Sequence, residues 1–428
     1  MTSEHEKTRQ RQLRRREEDK KRRQQQKLQR RKTVLGLIAA AAVLGLCALV
    51  IVLARHTSTQ PPSEVTIETT PPAETRPITG ETVIHLAFGG DLNITDKTVA
   101  AGSTADGYDY KDVFMDVAPL LAGADAAVLN FEGNLCGAPY GSTDTRAPIE
   151  LAQALKDAGV DLVQMANSCS INNGVGGLQS TLDNLRLVGL TPVGAYATNQ
   201  EAQAARRFTL MDVKGVKVAF VAFTKGIGNL ALPAGSEDCV NLLYTDYTST
   251  YQKINTDGIT QVLQDVAREQ PDVTIALLHW GSEFNSQLSK SQTQIVELMQ
   301  ANGVDAIVGS HSHYVQTADY DAENGKVVAY SLGDFFGDAD KSGTDYSLIL
   351  DLQITKNNNT GECKITGMDF TPIYTVTPEK DGVPHARVLR IEAAMAHYEA
   401  NGLDKVSKKT YDAMKSALSK VESRIPRG

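Results

Sequence analysis

Between Thr82 and Leu332, short apolar runs alternate with longer amphipathic stretches, and this alternation leaves few architectures open. The apolar runs are TVIHLAF, ADAAVLNF, DLVQMAN, VKVAFVAF, DVTIALLHW, DAIVGS and KVVAYSL. Their length and enrichment in Val, Ile and Ala mark them as strands. Between several of them lie stretches of helical period, APIELAQALKDAG, GGLQSTLDNLRLVG, GITQVLQDVAREQ and KSQTQIVELMQANG. Strands alternating with helices imply an α/β domain, and near-continuous apolar runs imply strands covered on both faces. Residues 351–376 read as further strands. From Arg387 to about Ser423 the pattern is helical, in two helices broken near Gly402. No internal repeat of fixed period is present.

What precedes this domain has a different character. Residues 1–32 carry 14 Lys and Arg against 5 Asp and Glu, so the rest of the chain has 29 basic and 46 acidic residues. Val34–Ala54 follows as 21 residues without a charge, long enough for a helix to cross roughly 30 Å of hydrocarbon. A cleavable signal peptide would have an apolar core of about 7–15 residues, so a retained anchor is the better reading. Arg30, Arg31 and Lys32 precede the span and only Arg55 follows closely, which places the N-terminus in the cytoplasm and the large domain outside. The basic head then reads as a topology signal at the membrane, with no nucleic acid expected as partner. Residues 55–81, rich in Thr, Pro and Glu, cannot bury a core and read as a linker. The expected organisation is a basic cytoplasmic segment over 1–33, a transmembrane helix over 34–54, the linker over 55–81, the main domain over 82–376 and a helical extension over 377–428.

Several apolar runs end in side chains that bind metals or move protons. HLAFGGD ends at Asp91, AVLNFEG at Asn130 and Glu132, LVQMANSCS at Asn167, Ser168 and Cys169, IALLHWG at His279, and AIVGSHSH at His311 and His313. In α/β sheets ligands bind beyond the carboxyl ends of the strands, so residues more than 200 positions apart can converge there. Residues i and i+2 of an extended chain face one way, which would turn both His311 and His313 toward one ion, and Gly309 permits close backbone approach. Imidazole and carboxylate ligands suit Zn, Fe or Mn. A shared carboxylate can hold two such ions about 3.5–4 Å apart, as in phosphoester hydrolysis.

The blocks FGGDLNI, VLNFEGNL, ANSCSINNGVGGLQSTLDNL, LLHWGSEF, QIVELMQANGVDAIVGSHSHYVQ and VVAYSLGDFF resemble, in order, those of the CapA family of capsule and poly-γ-glutamate biosynthesis proteins. That resemblance implies a calcineurin-like metallophosphoesterase fold, a four-layer α/β/β/α sandwich. It also implies a membrane-anchored domain working on an anionic extracellular polymer or its precursor, alongside membrane synthase or export subunits. Carried over block by block, it makes Asp91, Glu132, His279, His311 and His313 the metal-site residues. The departures are Ser168 and Cys169 where the family usually reads Asn-His, Asn172 where an Asp often stands, and Asp334 in SLGDF where the family reads SLGNF.

These departures bear on activity. A histidine protonates a leaving oxygen near neutral pH, and a thiol is a weak substitute. Ordinary phosphoesterase chemistry is then expected to be weakened unless Asp334 or another acid serves instead, and Cys169 is a candidate nucleophile on an amide or ester. The structural alternative for Cys169 is a disulfide with Cys136, since both follow strands expected to be neighbours and the compartment permits oxidation. Two readings stand, a metal-dependent hydrolase or a non-catalytic polymer-binding or assembly subunit with a degenerate site.

Overall fold

The computed structural model describes residues 80–401 and 406–425. The proposed cytoplasmic segment, transmembrane helix and all but the last two residues of the linker lie outside these. Among the described residues no helix is long and apolar enough to cross a membrane.

The chain forms a mixed α/β fold with two sheets. The strands are β1 (Glu81–Asn93), β2 (Ala126–Glu132), β3 (Leu162–Gln164), β4 (Thr191–Val193), β5 (Thr209–Val213), β6 (Val216–Thr224), β7 (Val273–His279), β8 (Ala306–Ser310), β9 (Ala318–Asp321), β10 (Lys326–Ala329), β11 (Asp334–Phe336), β12 (Tyr346–Asn357), β13 (Cys363–Val376) and β14 (Arg387–Arg390). The first sheet has the order β14-β13-β12-β1-β2-β3-β4, with β11 also paired to β1. The second has the order β5-β6-β7-β8-β10-β9. β1 to β4 pair in parallel with one another, as do β6, β7, β8 and β10, while β5 and β9 add antiparallel at the two edges of the second sheet. β12 to β14 form an antiparallel flank.

Side-chain alternation along β6 explains how the sheets are covered. Val218, Phe220 and Ala222 enter the core shared with the first sheet, among Leu86, Phe88 and Leu129. Ala219, Val221 and Phe223 turn the other way and pack with helices Thr256–Arg268 and Lys290–Ala301. The helix Thr256–Arg268 buries Ile259, Val262, Leu263 and Val266, the i, i+3, i+4, i+7 stripe of an amphipathic helix, each worth about 1.5–3 kcal/mol of burial. Asn255 caps it by accepting from the Gly258 amide at 3.2 Å, satisfying a donor that would otherwise lack a partner. Helices Ile149–Asp157 and Gly174–Leu187 bury Leu151, Leu155, Leu178, Leu182 and Leu185 in the core of the first sheet.

The C-terminal part departs from a purely helical pattern. Residues 387–390 form the edge strand β14, paired through Ile373↔Arg390 to Val376↔Arg387, before helices Ile391–Asn401 and Lys408–Arg424 pack back on the antiparallel flank. The long exposed edge of β13 supplies the backbone partners that local helix propensity does not outweigh.

Candidate metal centre

At Phe88 β1 leaves its register with β2 and resumes it at Asp91↔Asn130. In the same step its neighbour β12 gives way to β11, with Asp91 opposite Asp334. Gly89 and Gly90 occupy this bulge, which brings the Gly333 carbonyl against the chain to accept the Asp91 amide at 2.9 Å. The bulge and close approach therefore put two carboxylates side by side, both buried.

Glu132 ends β2, and His279 ends β7 opposite Ser310 of β8. Two contacts tie the sheets together here. His279 Nε2 lies 3.0 Å from Glu132 Oε1, and the His311 amide donates to Asp91 Oδ2 at 3.0 Å. The His279 and His311 rings are 4.3 Å apart between centroids, and those of His311 and His313 6.4 Å. His313 Nδ1 lies 2.8 Å from Asp334 Oδ1 and 3.9 Å from Asp91 Oδ2. Asn130 Nδ2 donates to Asp91 Oδ1 at 2.7 Å and to Glu132 Oε1 at 3.0 Å, and accepts in turn from Asn167 Nδ2 at 3.0 Å. The structure thus gathers Asp91, Asn130, Glu132, Asn167, His279, His311, His313 and Asp334 at one edge where the two sheets meet.

Other expected site residues stand elsewhere or differently. Ser168 makes no hydrogen bond to this cluster among the described residues. Cys169 is held by its amide on Asn167 Oδ1 at 3.0 Å, with Sγ 4.0 Å from Glu132 Oε2. Burial, then the Glu132 charge, pushes its thiol far up, the reverse of what an activated nucleophile needs. The expected disulfide is absent. Cys136, Cys169, Cys239 and Cys363 are free, because Cys136 packs over Gly177 of the helix Gly174–Leu187 whereas Cys169 faces Glu132. Denatured, unreduced protein should accordingly show as many reactive thiols as reduced protein, and two fewer in a mass-tagging assay would contradict this assignment.

The histidine pair also differs in backbone from an extended run. His311 and His313 have φ of +89° and +59°, the left-handed region that costs a β-carbon residue energy. Gly309 has the expected role, since a Cβ there would sit 2.0 Å from the Tyr330 carbonyl oxygen.

Three residues escaped the sequence reading. Thr224 Oγ1 lies 3.2 Å from His279 Nδ1, and Asn93 Nδ2 lies 3.5 Å from His313 Nδ1. Both follow the rule that singled out the others, since Thr224 ends β6 and Asn93 lies two residues beyond Asp91. Phe284, stacked on His313 at 4.9 Å between centroids, comes from a loop with no periodic signal.

The electrostatics fit a cation. Burial, then Glu132, pushes the Asp91 carboxyl well up, and burial raises Asp334 and takes Glu132 to about 7. Burial lowers His279 and His311. Burial also pulls at His313, but the Asp334 hydrogen bond and the surrounding carboxylates outweigh it and lift the imidazole to about 10. Three buried carboxylates thus face one cationic ring. Asp91, His313 and Asp334 each offer one ligand atom, all within 4.8 Å of one another. His311 Nδ1 is buried without a hydrogen-bond partner among the described residues. A divalent ion would balance the carboxylates and give such a nitrogen a partner.

Residues 85–339, which contain every one of these side chains, match the bacterial capsule synthesis protein PGA_cap. The chain belongs to that family. Two curated relatives are PGA biosynthesis protein CapA of Bacillus subtilis (strain 168), 25% identical over 72% of this chain and 77% of its own length, and Capsule biosynthesis protein CapA of Bacillus anthracis, 26% identical over 59% of each. Among solved structures, calcineurin-like phosphoesterase YfkN from Bacillus subtilis aligns with 80% of this PGA_cap chain and 98% of its own at 15% identity and a TM-score of 0.39.

Proposed function

We propose that this PGA_cap protein is a membrane-anchored, extracellular component of capsule or poly-γ-glutamate biosynthesis, export or attachment, with a metallophosphoesterase-like cleft at the meeting edge of its two sheets. The observation that carries the reading is the Asp91–His313–Asp334 constellation, its two carboxylates buried and its imidazole half-buried, with Glu132, His279 and His311 packed around it. A divalent Mn, Fe or Zn ion, or a pair, would be held by Asp91, His313 and Asp334, with Glu132, His279 and His311 as further donors. Bound there, such an ion supplies a Lewis acid and a lowered pKa for coordinated water. The chain's own residues orient the site. Asn130 holds Asp91 and Glu132 through one amide group, Asn167 fixes Asn130, and Thr224 fixes the His279 ring. The anchor at 34–54 would place the domain beside the polymer and its membrane synthase or export subunits.

A second reading, a non-catalytic polymer-binding or assembly subunit, is favoured by one observation. Cys169 stands where the family usually carries a proton-donating histidine, and its thiol is held protonated beside Glu132.

Metal analysis of the purified chain separates the two. A tightly held transition ion, with affinity falling at least about tenfold in His313→Ala, supports the metal cleft. A chain that retains no ion after mild dialysis would favour the binding subunit.

A further inference from the structure

Lys225 follows Thr224 at the end of β6, directly beside the metal-site histidines. Its amide donates to the His279 carbonyl at 2.8 Å, and its Nζ donates to the Gly281 carbonyl at 2.6 Å. The ammonium has three donors, and no carboxylate pairs with it among the described residues. It lies instead 4.7 Å from the centroid of the Tyr251 ring. Lys341 repeats the arrangement at Phe284. Its Nζ lies 3.1 Å from the centroid of Phe284, the ring that stacks on His313. It too forms no ion pair among the described residues.

An aromatic face attracts an ammonium without neutralising it. Two amino groups are therefore held near the cleft without a carboxylate partner among the described residues, in a domain whose acidic residues outnumber its basic ones. The loops that carry Lys225 and Phe284 also expose Leu230, Phe284 and Leu288 at 41%, 36% and 39%. A small inorganic anion has no use for such apolar surface. A flexible chain with carboxylates spaced by methylene groups would contact both.

We propose that Lys225 and Lys341 are specificity-determining residues that hold the oxyanions of an acidic chain beside the cleft. The inference rests on the reading of that cleft as the working site, but its test is independent of metal binding. The only tryptophan, Trp280, follows His279 and donates to the Tyr330 carbonyl at 2.9 Å, so its fluorescence reports on this region. The full chain and its Lys225→Met, Lys341→Met and Lys225→Arg variants, together with the double methionine variant, are titrated with a γ-linked glutamate oligomer and separately with inorganic phosphate. Metal content is measured on the same samples.

The oligomer should bind more tightly than phosphate. Each methionine variant should weaken it about tenfold and the double variant about a hundredfold, the scale of one and two charge-assisted hydrogen bonds. Lys225→Arg should retain most of the affinity, and metal content should not change in any variant. An oligomer affinity unaltered in the double variant, or no oligomer binding by the wild type, overturns the proposal. Phosphate binding that follows the lysines while oligomer binding does not would overturn the acidic-chain assignment. A wild type without metal whose oligomer binding still needs both lysines would remove the metal reading and leave the lysine pair standing.

Discussion

Asp91→Asn should weaken divalent-metal binding by about a hundredfold or more while leaving the metal-free fold close to wild type in stability. Loss of a residue that merely supports a ligand costs roughly 10–100-fold in affinity, and Asp91 itself offers a ligand atom. The metal-free outcome follows from two opposing effects. Asp91 accepts from Asn130 through Oδ1 and from the His311 amide through Oδ2. Asparagine has one acceptor oxygen, so one of these bonds is lost, at about 1 kcal/mol. Against this, the substitution removes one of three carboxylates enclosed together, where burial and the Glu132 charge already oppose ionisation of Asp91. A residue that serves a ligand at the expense of the empty fold behaves this way. Chelator competition gives the affinity and thermal unfolding in excess chelator gives the stability, with a shift within a few degrees expected. Retained metal affinity would remove Asp91 from the site. Collapse of the chelated protein would make it a structural residue.

Much of this arrangement is legible in the sequence because strands covered on both faces need almost uninterrupted apolar side chains. That is why β2, β6, β7 and β8 stand out. Four strands that do not stand out as strands share a physical reason. β4, β5, β9 and β14 lie at sheet edges, where one side of the strand meets no neighbour and the burial demand relaxes. β5, for example, alternates exposed and half-buried residues until Val213. The strand-end rule finds Asp91, Glu132 and His279 because the carboxyl ends of parallel strands gather without help from the loops.

Residues placed by loop conformation are harder to read. His311 and His313 reach the cluster through positive φ rather than through an extended run. Phe284, also at positive φ (+53°), is brought onto His313 by a loop that sequence periodicity does not describe. The disulfide expectation fails for a related reason. Adjacent strands bring their following loops near each other, but side-chain direction decides which atoms meet, and Cys136 and Cys169 face different partners.

Gly90→Ala should destabilise the domain by about 3 kcal/mol or more, the upper range for overpacking against atoms that cannot yield. A Cβ on residue 90 would sit 1.8 Å from the Gly333 oxygen and 2.9 Å from its carbonyl carbon. That carbonyl cannot retreat freely, because it accepts the Asp91 amide and begins the β11 pairing that sets Asp334 opposite Asp91. Gly333 itself has φ of +81°, and a Cβ there would be 3.0 Å from Ser347 Cβ, so the facing segment is confined on both sides. Relief of the clash must therefore separate β11 from β1 and draw Asp334 away from His313, which ties stability to the metal site. Gly176→Ala is the control. It lies within the helix Gly174–Leu187, where an added Cβ meets nothing within 4 Å. There alanine should stabilise by about 0.5–1 kcal/mol. Urea unfolding of the two variants in chelator should move their midpoints in opposite directions. A Gly90→Ala protein as stable as wild type would mean that the β1–β11 contact is looser than described, and with it the pairing of Asp91 with Asp334 on which the site depends.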